Sequence, residues 1–355
     1  MSPQRVRFRP YAPSQFGSYL TVPIADAAEN ARYVRGDKRF LVVRDPRRNP
    51  GFYDIVLNWL ALNFPALRAR FELHTLPFIP RGWDRYALHI PWLQDPVESW
   101  SPVAFRMANR FAAQCDRRGV PIVNRVDRLA NAGKSEGPRR IATSGLRTPQ
   151  TARIVDPDAF RANRLGLPLP LFVREELGHG GLMVRADTDK DVRAIDLSQF
   201  RRPLAVEFID LQNDDGLYRK YRYVVAGDAG VPLSMHVAPD WCTRGEALKT
   251  IHSDALREED IAFVSRPEPH HEQFVAARVA LELDFVAFDY GLDADGHPVV
   301  WEANPYPMIH LLGGNRRYRS KPTFRVFAAM TAMYLGRAGL EVPPDLADAV
   351  AGIDQ

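Results

Sequence analysis

Two cysteines, Cys115 and Cys242, stand far apart among the 355 residues. Their scarcity excludes a disulfide framework, and without metal-ligand or redox spacing they read as reduced thiols of a reducing, cytoplasmic compartment. Lysine is scarce as well, since only six of the 47 basic residues are lysine and the rest are arginine. A lysine inside a motif therefore carries weight. Long apolar runs are missing too. The longest weakly apolar stretch, Val326 to Leu335, is much too short to cross a bilayer, and no apolar core follows Arg5, Arg7 and Arg9, so neither a membrane span nor a signal peptide is expected. Internal repeats, low-complexity linkers and blocks of one charge are absent: 43 acidic residues are scattered among the basic ones for a net charge of +4. With no aromatic and basic stripe, nucleic acid is not an expected partner.

The remainder has the make-up of a globular enzyme, 46% hydrophobic and 25% charged. Its length exceeds one ordinary core and predicts two or three subdomains. The first 120 residues alternate strand and helix: an apolar strand Phe40 to Arg44, a helix Tyr53 to Leu62, then extended segments Phe71 to Phe78 and Tyr86 to Ile90. Pro102 to Gly119 reads as a helix with Val103, Met107, Phe111 and Cys115 on one face, leading into the short strand Pro121 to Asn124. Residues 125–165 read as helical and loop-rich, with Asp156-Pro157 as helix cap and first position. Strands then dominate: Pro170 to Arg174, Leu182 to Ala186, Leu204 to Ile209, Leu217 to Ala226 and Pro232 to Ala238. A helix from Pro269 to Leu283 precedes two final strands, Phe285 to Tyr290 and Pro298 to Asn304, joined by the turn Asp293 to Gly296.

The last two strands carry the chemistry. Alternation along an extended chain puts Val300, Glu302 and Asn304 on one face, and the hairpin brings Asp289 alongside. Glu302 and Asn304 sit in Val-Val-Trp-Glu-Ala-Asn-Pro, an otherwise apolar run where unpaired carboxylates are costly. Three hard oxygen ligands converging there suit Mg²⁺, which takes few protein carboxylates and completes its shell with water and phosphates. Exposed polar positions on an edge hairpin are the alternative.

The run from Asp289 to Pro305 resembles the terminal metal-binding signature of the ATP-grasp superfamily, in which an acid on one strand and Glu-x-Asn on the next hold Mg²⁺. The resemblance extends over about residues 121–310. It implies an ATP-grasp fold of mixed α/β and α+β type, binding ATP and Mg²⁺, with Asp289, Glu302 and Asn304 as metal ligands. It divides the chain into an N-terminal α/β domain over 1–120, a central subdomain over 121–203 and a C-terminal subdomain over 204–355.

Upstream, Pro121 to Asn124 followed by Lys134 looks like the family's first strand and first phosphate lysine, a compact charge suited to an α-phosphate. Arg174, where a lysine is usual, and the run Gly178-His179-Gly180-Gly181 resemble the second basic residue and the glycine-rich loop over the phosphates. Glu207, Phe208 and Ile209 resemble the hinge strand that contacts adenine and ribose. Tyr218, Lys220 and Arg222 share a strand face, and Arg222 or Lys220 is implied near the γ-phosphate or acyl group. The family often carries an arginine two residues before the first metal acid, and this chain has Ala287 there; Arg222, Arg316 or Arg317 is left to stabilise the transition state. His310 and the segment Gly313 to Arg317 are placed for substrate contact.

The implied activity is ligation: ATP converts a small-molecule carboxylate into an acyl phosphate, and an amine or similar nucleophile displaces phosphate. A small-molecule kinase on the same cradle and a nucleotide-binding protein without turnover are the alternatives. Many relatives are dimers, which leaves a homodimer open.

Overall fold

The computed structural model describes residues 18–45, 52–94, 96–178, 181–242, 253–307, 309 and 314–352. Three sheets organise these residues. The first is a three-stranded parallel sheet in the order β2-β1-β3, formed by β1 (Arg39–Arg44), β2 (Phe71–Thr75) and β3 (Tyr86–Trp92). Its central strand reads Phe-Leu-Val-Val because helices bury a parallel sheet on both faces, and Phe40 to Val43 are all buried. β2 lies at the edge, and the helix Ser18–Tyr33 covers it. Asn30 satisfies that edge by donating to the Leu73 carbonyl and accepting from the Leu73 N–H, both at 2.8 Å.

The central sheet is antiparallel, with β4 (Thr151–Arg153), β5 (Leu171–Glu175), β6 (Met183–Ala186) and β7 (Pro203–Glu207) in the order β4-β7-β5-β6. It has its own core, including Phe160, Leu171, Val173, Ala186, Val192 and Ala205. The C-terminal sheet, also antiparallel, orders β8 (Tyr218–Ala226), β9 (Ala229–Ala238), β10 (Phe285–Leu292) and β11 (Pro298–Asn304) as β11-β10-β8-β9. One continuous core joins it to the N-terminal sheet, with the helix Ser320–Arg337 packed between. Asn124 fastens that junction: its buried amide donates to the carbonyls of Phe285 and Pro305 and accepts from the N–H groups of Asp284 and Phe285.

Two subdomain boundaries differ from those read in the sequence. The strand assigned to the C-terminal unit from residue 204 is β7, which pairs with β4 and β5 in the central sheet. Val126, Leu129, Ile141 and Leu146, assigned to the central unit from 121, belong to the large core shared by the other two sheets. Strand partnership and core membership are long-range properties that local periodicity does not encode. A third difference concerns the helix Pro102–Arg118. Its buried face is Ala104, Ala108, Phe111, Ala112 and Cys115, with Val103 60% exposed, because small alanines let the helix approach closely along a neighbouring stripe. The expected strand at residues 121–124 contributes a single bridge, His89 to Ile122. The Asp156 cap forms as expected, accepting from the N–H groups of Asp158 and Ala159 with Pro157 at the first helical position. Among the described residues no helix is long and apolar enough to cross a membrane.

Candidate functional site

The site grows from the alternation of side chains on β8 and β10. Tyr221, Tyr223 and Tyr290 point to one face of the C-terminal sheet, where Phe263 and Phe274 of two covering helices pack on them. Lys220, Arg222 and Asp289 must then point to the opposite face. On the ladder Asp289 stands between Arg222 of β8 and Glu302 of β11. Arg222 Nε and Nη2 donate to its two oxygens at 2.7 and 2.8 Å, and Lys220 Nζ donates at 3.3 Å. Burial would raise the Asp289 pKa, but Arg222 and Lys220 outweigh it and hold the carboxyl below the usual carboxylate range.

The β10–β11 ladder has a bulge at this point. Asp289 pairs with Glu302 while Tyr290 pairs with Val300, so Trp301 is an extra residue. Its effect is to put Trp301 on the same side of β11 as Glu302 and to send Val300 to the other side. Val299 and Trp301 line a first cleft of about 110 Å³, and Glu302, Ala303 and Pro305 line a second of about 490 Å³. Simple alternation predicts Val300 and Glu302 on one face; the bulge breaks it, because Glu302 pairs with Asp289 while Val300 pairs with Tyr290 and is buried in the core.

The first cleft lies between the central and C-terminal sheets. The outward side of β5 supplies Phe172 and Arg174, while Val173 on the other side enters the central core. Glu207, Phe208 and Ile209 line the same cleft. The Glu207 N–H donates to the Gln150 carbonyl, and the Glu207 carboxylate accepts the Gln150 N–H, both at 2.9 Å. Trp241 closes the aromatic wall, with its ring 5.4 Å from Phe172 and 5.5 Å from Phe208.

Lys134 lines both clefts. Its ammonium donates to the Glu175 carbonyl at 3.3 Å and to the Gly178 carbonyl, gripping the start of the glycine run. Gly178 has φ +85° and Gly181 φ +103°, a region that favours glycine. His179 and Gly180 lie outside the described residues, as do His310 and Gly313 and the side chain of Arg316; Arg317 is exposed.

Asn304 is the residue that fits its expected role least directly. Its Oδ1 accepts the Tyr306 N–H at 3.0 Å, and the Tyr306 hydroxyl donates to the Pro91 carbonyl, so this turn ties β11 to the N-terminal sheet. Asp289 already uses three of a carboxylate's roughly four acceptor positions. Two carboxylates, Asp289 and Glu302, face two cations, Lys220 and Arg222, so the rung is close to neutral. The donor set is hard oxygen and suits Mg²⁺, but the charge balance suits it only when a polyanion arrives with the ion.

Sequence reasoning missed several residues. Trp241, Trp301, Phe172 and Met183 line the first cleft without a motif to mark them. His236 pairs with Lys220 on the adjacent strand; burial and the charges of Lys220, Arg319 and Arg222 push its pKa down to about 3, so it stands neutral.

No family sequence model matches the chain, and no curated protein matches it in sequence. Solved structures do match in fold. D-alanine–D-alanine ligase from Bacillus anthracis complexed with ATP has a TM-score of 0.53 at 14% identity, covering 86% of this chain and 97% of that one. VanG D-Ala:D-Ser ligase from Enterococcus faecalis gives 0.53 at 12%, covering 85% and 100%. The ATP-grasp ligase PsnB complexed with a minimal precursor gives 0.51 at 16%, covering 89% and 100%. The chain therefore has the ATP-grasp fold, with the mixed α/β architecture that the motifs implied.

Proposed function

We propose that this chain is an ATP-dependent ligase that activates a substrate carboxylate as an acyl phosphate for attack by an amine or similar nucleophile. The observation that carries the reading is the Arg222-Asp289-Glu302 rung, with its paired charges beside a cleft lined by Lys134, Arg174 and the Glu207-Phe208-Ile209 strand. The apolar and aromatic lining around Trp241 and Trp301 suits a purine base, and Glu207 is the acid for its sugar or amino edge. Lys134 and Arg174 take the inner phosphates.

Glu302, with Asp289 and Asn304, would hold Mg²⁺, which when bound neutralises charge on the transferring phosphoryl group. Arg222, with Lys220 beside it, takes the role that Ala287 leaves open, because it reaches Asp289 from the neighbouring strand. The substrate carboxylate oxygen bonds to the γ-phosphorus as the β–γ bridging bond breaks and ADP leaves. The nucleophile's nitrogen then bonds to the acyl carbon, phosphate leaves and the amine proton passes to solvent. Positioning and charge stabilisation suffice for both steps, without a covalent enzyme nucleophile.

The fold neighbours named for D-alanine ligation and for a peptide precursor put amino acids and peptide acids in the test panel. The experiment is release of ADP and phosphate across acids and amines, repeated with Glu302→Ala. Release that needs an acid together with an amine supports the reading. Release driven by an alcohol alone would replace it with a kinase, and Mg-ATP binding without any release would leave a nucleotide-binding protein.

A further inference from the structure

The second cleft carries charges for which the nucleotide has no use. Three neighbouring central strands bring them to one end of the sheet. Arg153 ends β4, Arg202 precedes β7 and Glu176 follows β5, and the ladders β4–β7 and β7–β5 fix their spacing. The Glu176 N–H donates to the Arg202 carbonyl at 2.9 Å, and the Glu175 carboxylate accepts the N–H groups of Arg201 and Arg202, so the arginine turn is held by backbone.

Glu176 is 5% exposed and sits between the two arginines. Its Oε1 accepts Arg153 Nε at 2.6 Å and the Ser135 hydroxyl at 2.5 Å, and Arg202 Nε lies 3.1 Å from Oε2. One cation would neutralise this carboxylate, and two are supplied. Both arginine side chains are about half exposed, at 53% and 52%, and both line the cleft. Each guanidinium is a planar fork with five donors, of which Nε is spent on Glu176, and Arg153 spends Nη2 on the Ser135 hydroxyl. A carboxylate is the partner that such a fork fits best. Glu302 lies on the wall of the same cleft, and Lys134 joins it to the nucleotide cleft.

We propose that this cleft is the acid-substrate subsite and that Arg153 and Arg202 bind a second carboxylate of the substrate, selecting acids with two carboxylates over monoacids. The assignment rests on the ligase reading for the word substrate, and the test keeps the two apart. Straight-chain diacids from succinate to suberate and the monoacids of equal length are titrated calorimetrically into the full chain with Mg-AMPPNP. In parallel, acyl phosphate is trapped as hydroxamate with ATP and hydroxylamine. At least one diacid should bind about ten-fold tighter than its monoacid. Arg153→Gln combined with Arg202→Gln should abolish that difference while AMPPNP binding persists.

Should the double variant fail to fold, Glu176→Gln decides. It keeps both arginines and the Ser135 contact, removes the competing anion, and should tighten diacid binding. Equal binding of diacids and monoacids by the natural chain, a preference that survives the double variant, or weaker diacid binding by Glu176→Gln each overturns the subsite. Arginine-dependent diacid binding with no hydroxamate overturns the ligase reading and leaves the subsite standing. Hydroxamate formed equally from monoacids and diacids does the reverse.

Discussion

Asp289 and Arg222 face each other across one rung of the C-terminal sheet, with both guanidinium donors on both carboxylate oxygens at 2.7 and 2.8 Å. The pair is geometric as well as electrostatic, because a fork meets a carboxylate edge to edge. Arg222→Lys keeps the charge and loses the fork. The variant should fold, with a melting temperature within a few degrees of the natural chain, while kcat for ADP release falls about 100-fold. Equal losses of kcat and of folded protein would mean that the pair is structural only.

Trp241 contacts Phe172 and Phe208 in the wall of the first cleft. If that wall receives a purine, Trp241→Ala should weaken AMPPNP binding by about 10-fold, in line with ring stacking on a base. Calorimetric titration reads it directly. Unchanged affinity would move the base away from this wall.

Gly178 lies at the start of the glycine run with φ +85°, and a Cβ there would stand 3.2 Å from the Trp100 ring. Gly178→Ala combines an unfavourable backbone region with a tight contact and should destabilise the chain by about 1 kcal/mol or more. Adding Trp100→Ala should not restore the whole loss, because the backbone cost remains. Denaturant unfolding of the single and double variants separates the two parts.

His89 is fully buried on β3, with Nδ1 3.0 Å from the Leu41 carbonyl, and burial pushes its pKa down to about 4. The folded value lies below the ordinary 6.5 of an unfolded histidine. The unfolded chain therefore takes up a proton first as pH falls, so this stability is present above about 6.5 and lost between about 6.5 and 4. His89→Gln should flatten that part of the profile, by an amount on the order of 2 kcal/mol between pH 7 and pH 5. Urea titrations of both proteins at the two pH values measure the difference.

What the sequence made legible was local. The strand Pro298–Asn304 forms with the bounds its alternating pattern predicts, and Asp289 meets Glu302 because the Asp293 turn sets the hairpin. That Arg222 lies on a strand neighbouring Ala287 follows from the clear periodicity of both strands. The bulge at Trp301 was not legible, since one extra residue leaves no mark on composition yet moves Val300 to the face opposite Glu302. Nor was the Arg153-Glu176-Arg202 cluster, whose members are distant in sequence and meet only through the order β4-β7-β5. The helix Asp254–Ser265 also escaped, although Ser253 caps it and its buried Asp260 accepts from the Met235 N–H, the Tyr318 hydroxyl and Arg319. Its signal lies in partners on other elements.

The central claim is that the neutral rung of Asp289, Glu302, Lys220 and Arg222 accepts a divalent ion only in company with a triphosphate. Mn²⁺, titrated as a spin probe for Mg²⁺ with and without AMPPNP, tests it most directly. The account predicts tight Mn²⁺ binding that requires AMPPNP and is lost in Glu302→Ala while the variant stays folded. AMPPNP-dependent Mn²⁺ binding that is undiminished in Glu302→Ala would contradict it.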